Sequence, residues 1–120
     1  MHNQSVEEKL RREAMANKIY RVSTPTLIYY IDDANFDMTT VAKAHFIVQN
    51  CGGKNKIIHE NPIIDTEEKS FTTDLTQEET RALQAGDIEV QVHIKTTSGK
   101  VIWTDIIQTK INRVTEENLL

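Results

Sequence analysis

The sequence predicts an all-β fold: an antiparallel two-sheet sandwich of about seven short strands, with one short helix at residues 76–85. Three observations carry that expectation. Short alternating or β-branched runs recur at regular spacing, separated by clusters of Gly, Pro, Asn and Asp. The stretch Leu75-Thr76-Gln77-Glu78-Glu79-Thr80 holds a helix start. Close behind it comes Asp87-Ile88-Glu89-Val90-Gln91-Val92-His93-Ile94-Lys95, a period-two strand with one buried and one wet face. A small open barrel is the alternative closure of the same strands.

Residues 1–17 form the first unit, a helical or flexible N-terminal arm. Ser5 and Glu8 have capping-box spacing, while Glu7/Arg11, Glu8/Arg12 and the reversed pair Lys9/Glu13 stand one helical turn apart. Val6, Leu10 and Ala14 make only a thin apolar stripe. So short a helix is marginal in water, and the arm is expected to order against a partner or fray. Met15 offers a second start, which would make residues 1–14 an extension of the reading frame.

Residues 18–114 are the expected sandwich. Ile19 to Val22 and Thr26 to Ile31 read as strands on either side of Thr24-Pro25, where proline removes a ladder donor and implies an edge or a break. Asp32-Asp33-Ala34-Asn35 is loop chemistry. Ala42 to Gln49 alternates, and Asn50-Cys51-Gly52-Gly53-Lys54-Asn55 is a hairpin connection to Lys56–His59. Pro62 separates that strand from Ile63-Ile64-Asp65, and Ser70 to Asp74 is one more short extended piece.

Thr76 is the expected N-cap, with Glu79 reaching back to its amide, and Gly86 is expected to end the helix in a left-handed conformation. In the strand that follows, Ile88, Val90, Val92 and Ile94 face the core. Thr97-Ser98-Gly99-Lys100 turns the chain into a last strand from Val101 to about Ile111. Trp103, central in that strand, is assigned to the core. Ile106-Ile107 breaks the alternation, and a β-bulge there would restore it. Residues 115–120 are a tail, polar until Leu119-Leu120.

A chain of 120 residues is one domain by the usual size relation. Apolar residues make up 38% and charged ones 27%, with a net charge of -4, a balance that argues against a nucleic-acid partner. The single Cys51 has no intramolecular disulfide partner, which points to a reducing cytoplasm or a virion assembled there. No apolar run is long enough to cross a bilayer, and Met1 to Glu8 lack the basic start and apolar core of a signal peptide, so neither a membrane partner nor standard secretion is expected.

Catalytic constellations are missing. His2, His45, His59 and His93 have no second ligand at metal spacing and are read as surface histidines. Asp32, Asp33, Asn35 and Asp37 imitate the opening of a calcium loop, but its required glycine and closing glutamate are replaced by Met38 and Ala44. Gly52-Gly53-Lys54 is no phosphate loop, and nothing activates a serine or Cys51. The expectation is a non-enzyme without cofactor or metal. Trp103, Tyr20, Tyr29, Tyr30 and Phe36 raise a carbohydrate platform, although one Trp, three Tyr and three Phe are few for that purpose.

Tyr20-Arg21-x-x-Thr24-Pro25-Thr26, the Leu75–Thr80 stretch, Gly86-x-Ile88-x-Val90-Gln91-Val92, Gly99 and Thr104-x-Ile106-Ile107 together resemble small β-sandwich structural proteins of tailed bacteriophages and Gram-positive prophages. The resemblance covers about four fifths of the chain, from Ile19 to Val114. It implies an Ig-like sandwich similar to domains of baseplate modules, and a virion-associated or assembly role in the tail, baseplate or head-tail region. Its partners would be other phage structural proteins or copies of itself, in the virion or in the host cytoplasm during assembly. The residues expected to bind partners are Val6, Leu10, Ala14, Leu119 and Leu120. A host-directed or anti-defence binding protein and a carbohydrate-binding module are the alternative functions.

Overall fold

Alternation along the sequence becomes two-faced strands in the computed structural model, which describes residues 18–120. The N-terminal arm, with Val6, Leu10 and Ala14, lies outside the described residues. Nine strands are present among them: β1 (Ile19–Tyr20), β2 (Thr26–Tyr30), β3 (Val41–Asn50), β4 (Lys54–His59), β5 (Ile63–Asp65), β6 (Ser70–Asp74), β7 (Gly86–Thr96), β8 (Val101–Trp103) and β9 (Ile107–Asn112). A 3-10 turn at Met38–Thr40 precedes β3, and one α-helix, α1 (Gln77–Ala82), joins β6 to β7.

The larger sheet runs β1-β9-β7-β3-β4, with β8 also on β7; the smaller runs β2-β6-β5. Its spine is the long antiparallel pair β3–β7, in which Ala44, Phe46 and Val48 stand opposite Ile94, Val92 and Val90. Leu27, Tyr29 and Phe71 face them from the smaller sheet, and all join one buried cluster with Leu75, Leu83, Ile88 and Ile111. The result is a β-sandwich whose chain switches sheets four times. One pair departs from the antiparallel expectation: β1 lies parallel to β9, with Ile19 opposite Ile111.

The last expected strand is two strands on one edge of β7. β8 pairs His93 with Trp103, whereas β9 pairs Val90 with Ile107, a register moved by one residue. Asp105 and Ile106 therefore share the space opposite Gln91, the bulge that the broken alternation predicts. Thr104 anchors it: its amide donates to the Val92 carbonyl at 3.0 Å, and its hydroxyl accepts from the Val92 amide at 2.9 Å.

The helix is shorter than expected. Thr76 and Glu79 form the reciprocal capping box, but the chain leaves the helix at Leu83, three residues before Gly86. Two tertiary interactions end it there. Leu83 is wholly buried, and the Arg21 guanidinium takes the Arg81 carbonyl at 2.6 Å and the Leu83 carbonyl at 2.8 Å. Gly86, at φ +122, instead opens β7.

The same corner holds Thr80, whose hydroxyl donates to the Ser23 carbonyl and accepts from the Ser23 amide, both at 2.9 Å. The Leu75 amide donates to the Pro25 carbonyl at 3.0 Å. Val22, at φ +55, makes the sharp turn that cuts β1 to two residues. Thr80→Val keeps the shape and removes both hydrogen bonds from a buried site. Urea unfolding of that variant is expected to show a loss of about 1–3 kcal/mol with an unchanged m-value.

Candidate functional site

Period two sends Lys43, His45, Ile47 and Gln49 of β3, and Glu89, Gln91, His93 and Lys95 of β7, to the outer face of the larger sheet. Register then aligns His45 with His93 and His93 with Trp103. The His93 ring stacks on the indole with centroids 3.7 Å apart and planes 4° from parallel, and His45 meets His93 edge-on at 6.4 Å. Ile58 lies opposite Ile47 on the same face. Trp103 is 53% exposed, and Ile58, Val101 and Ile106 are exposed with it.

The core assignment of Trp103 is therefore overturned. Ile102 pairs with Ile94 and takes the inward position, so its strand neighbours Val101 and Trp103 must turn outward. The hairpin signals this in the sequence, because it sets Trp103 against His93, itself on the wet face. Beside Trp103 a hollow of about 90 Å³ is lined by Ile47, Gln49, Gln91 and Ile106. Two polar atoms of this face, Gln49 Oε1 and His93 Nε2, are shielded from solvent and have no hydrogen-bond partner.

A second concavity, about 260 Å³, opens where β2 and the loop after it approach β7 and β8. Ile94, Ile102 and Ile107 line it together with the aromatic residues Tyr29, Tyr30, Phe36 and Trp103. Asp32, Asp33 and Asp105 line it as well. Four of the five aromatic residues considered for a sugar platform thus meet in one cleft, while Tyr20 stays apart on β1. They do not make an open platform. Tyr29 is buried and donates its hydroxyl proton to the Asp105 carbonyl at 2.5 Å, and one face of Trp103 is covered by His93.

The remaining candidates are scattered. Leu119 and Leu120 are exposed and border an open hollow with Thr24, Leu75 and Glu78, and Glu117 ties the tail to Arg21 at 2.8 Å. Cys51 is exposed in its hairpin; desolvation and the nearby Glu89 and Asp87 carboxylates push its thiol up, which keeps it protonated and a poor nucleophile. In the acidic loop, Asp37 caps the 3-10 turn by accepting from the Thr39 amide and hydroxyl, and Asp33 accepts from the Asn35 amide. Among the described residues no group of three or more His, Cys, Asp or Glu is placed to hold a metal ion, and no helix is long and apolar enough to cross a membrane.

His59 is more than a surface histidine. From the end of β4 it places Nδ1 2.5 Å from the Thr73 hydroxyl on β6 and donates from Nε2 to Glu79 on α1 at 2.7 Å. One ring thereby bridges both sheets and the helix. No spacing in the sequence reveals it, because Thr73 and Glu79 approach only after the sheets pack.

No protein-family model matches the chain, and no curated protein does. Among solved structures it is similar to the crystal structure of CopC from Methylosinus trichosporium OB3b, at 15% identity over 86% of this chain and 89% of that one, with a TM-score of 0.48. A likeness that slight assigns neither site nor ligand.

Glu79 has the clearest dependence on pH. Partial burial acts to raise its pKa but is outweighed by the Thr76 amide, the His59 hydrogen bond and the attraction of His59, so the carboxyl stays below its ordinary value of 4.5. A carboxylate depressed by folding stabilises the fold above the unfolded-state value, and that contribution is lost as pH falls through the folded one. Urea midpoints measured from pH 6 down to about pH 3 are expected to fall less steeply for Glu79→Gln than for the native chain.

Proposed function

We propose that this chain is a non-catalytic structural or assembly protein of a tailed bacteriophage, built on an Ig-like sandwich and acting through protein–protein contacts in the tail, baseplate or head-tail region. The resemblance of the Tyr20–Thr26 and Leu75–Thr80 motifs supports the phage setting. One observation carries the mode of action: Trp103 stands half exposed on the outer face of the larger sheet, with Ile106 at the same hollow, Val101 two residues before it on β8, and Ile58 exposed farther across that face on β4. Exposed apolar residues occur singly on most proteins, but several on one sheet face together with an exposed tryptophan fit an interface.

The contact face spans four strands, with Ile47 on β3, Ile58 on β4, His93 on β7 and Trp103 on β8, and Ile106 stands in the bulge between β8 and β9. Its partners on this reading are other phage structural proteins or further copies of the chain. The exposed Ile63 and Ile64 of the edge strand β5, and the Leu119-Leu120 tail, offer secondary contacts. Work done by surfaces needs no cofactor.

Mass spectrometry of particles purified from the source strain is expected to find the chain at fixed copy number relative to the tail-tube protein. The double variant Ile58→Glu with Ile106→Glu changes only exposed side chains, and is expected to fold with stability within about 0.5 kcal/mol of native. Its incorporation is expected to fall about tenfold or more, as for loss of a central interface anchor. Absence from particles together with co-purification of a host protein would replace this reading with a host-directed one.

A further inference from the structure

Register sets Lys43 on β3 directly opposite Lys95 on β7, and Lys95 opposite Val101 on β8, all on the outer face that carries Trp103. Like charges placed directly across two strands repel, and neither lysine forms an ion pair among the described residues. The carboxylates of that face stand toward the other end of β7. There Asp87 lies opposite Lys110, and Glu89 accepts from the Gln49 amide at 3.0 Å. A carboxylate brought from outside would relieve the lysine pair, and an apolar group beside it would cover Val101 and Trp103.

The chain itself presents that combination. Leu119 and Leu120 of the tail are exposed and border one hollow with Glu78, at the start of α1. Glu116 is exposed in the same tail, and neither Glu78 nor Glu116 forms an ion pair among the described residues. Glu117 is held by Arg21 at 2.8 Å, which keeps the tail on its own sandwich. We propose that the Lys43, Lys95 and Trp103 face of one copy takes the Leu119-Leu120 corner of the next copy, an inference that rests on the reading of this face as the protein-binding surface.

Position makes the contact intermolecular. The corner lies at the Gly86 end of β7, where Gly86 pairs with Ile111, and it borders Thr24 and Leu75. Lys95 stands nine residues farther along β7, about 30 Å away at the rise of a strand. Two different patches joined in this way make a heterologous contact, which repeats from copy to copy and closes into a ring where the rotation permits.

Sedimentation of the full chain from about 10 µM to about 1 mM is expected to show a mass rising past that of a dimer, and rising less at high salt. Two charge-reversed variants change only exposed side chains: Lys43→Glu with Lys95→Glu on the face, and Glu78→Lys with Glu116→Lys at the corner. Each alone is expected to associate about tenfold more weakly than the native chain, because like charges then meet at the contact. Mixed together, they are expected to recover native association, since each face then opposes a corner of opposite charge. Misfolded variants could not give that recovery.

A native chain that stays monomeric throughout the range overturns the proposal without relying on any variant to fold. Undiminished association of the corner variant overturns it too, and would assign the face to a symmetric face-to-face pair. Association is read on the isolated chain, whereas the assembly reading is read in particles through Ile58 and Ile106. Loss of the first with the second intact would therefore put a different phage protein on the face and end only the present proposal.

Discussion

The fold hinges on the tie between the turn after β1 and the helix α1. Each belongs to a crossing between the sheets: the first carries the chain from the larger sheet to the smaller, the second carries it back. Thr80 bonds both main-chain groups of Ser23, Leu75 bonds Pro25, and Arg21 takes two carbonyls from the end of the helix. Neither crossing is self-sufficient, since α1 has six residues and β1 has two, lengths at which isolated structure does not persist. Fastened together, they fix the sheets at one end of the sandwich. His59 adds a second clasp nearby, and the cleft opens farther along β2, beyond these fastenings.

This explains why the recognisable motifs say little about chemistry. Arg21, Pro25, Leu75, Thr76, Glu79 and Thr80 are the atoms of the tie and its helix cap. Thr26 extends it by donating its hydroxyl proton to Asp74 across β2–β6 at 2.5 Å. Such residues are constrained by burial and hydrogen bonding whatever the domain binds. Of the exposed residues on the outer sheet face, Ile58 and Trp103 lie outside the motifs, whereas Ile106 belongs to Thr104-x-Ile106-Ile107 and is exposed all the same.

Strand positions were legible because a half-buried strand writes its period into the sequence; β3, β6 and β7 lie within a residue or two of expectation, and the capping box lies where Thr76 and Glu79 place it. What escaped depends on contacts distant in sequence. The helix stops at Ala82 because Arg21, some sixty residues earlier, competes for its last carbonyls. The cleft joins residues 29–36 to 94–107, a meeting that only the packing of two sheets creates. Trp103 is a different case: its register was available from the hairpin, but the general tendency of tryptophan to be buried outweighed that local signal.

One extra residue connects both candidate surfaces. Without the bulge, strict alternation from Trp103 would turn Asp105 outward and Ile106 into the core. With Asp105 and Ile106 sharing the place opposite Gln91, Ile106 joins Trp103 on the outer face, while Ile107 recovers the inward phase and β9 can end on the buried Ile111. The same displacement brings the Asp105 carbonyl to the Tyr29 hydroxyl, which ties the larger sheet's edge to the smaller sheet at the cleft that both residues line. The departure from period two that is conspicuous as Ile106-Ile107 in the sequence is thus the feature that shapes the apolar patch and the acidic cleft together.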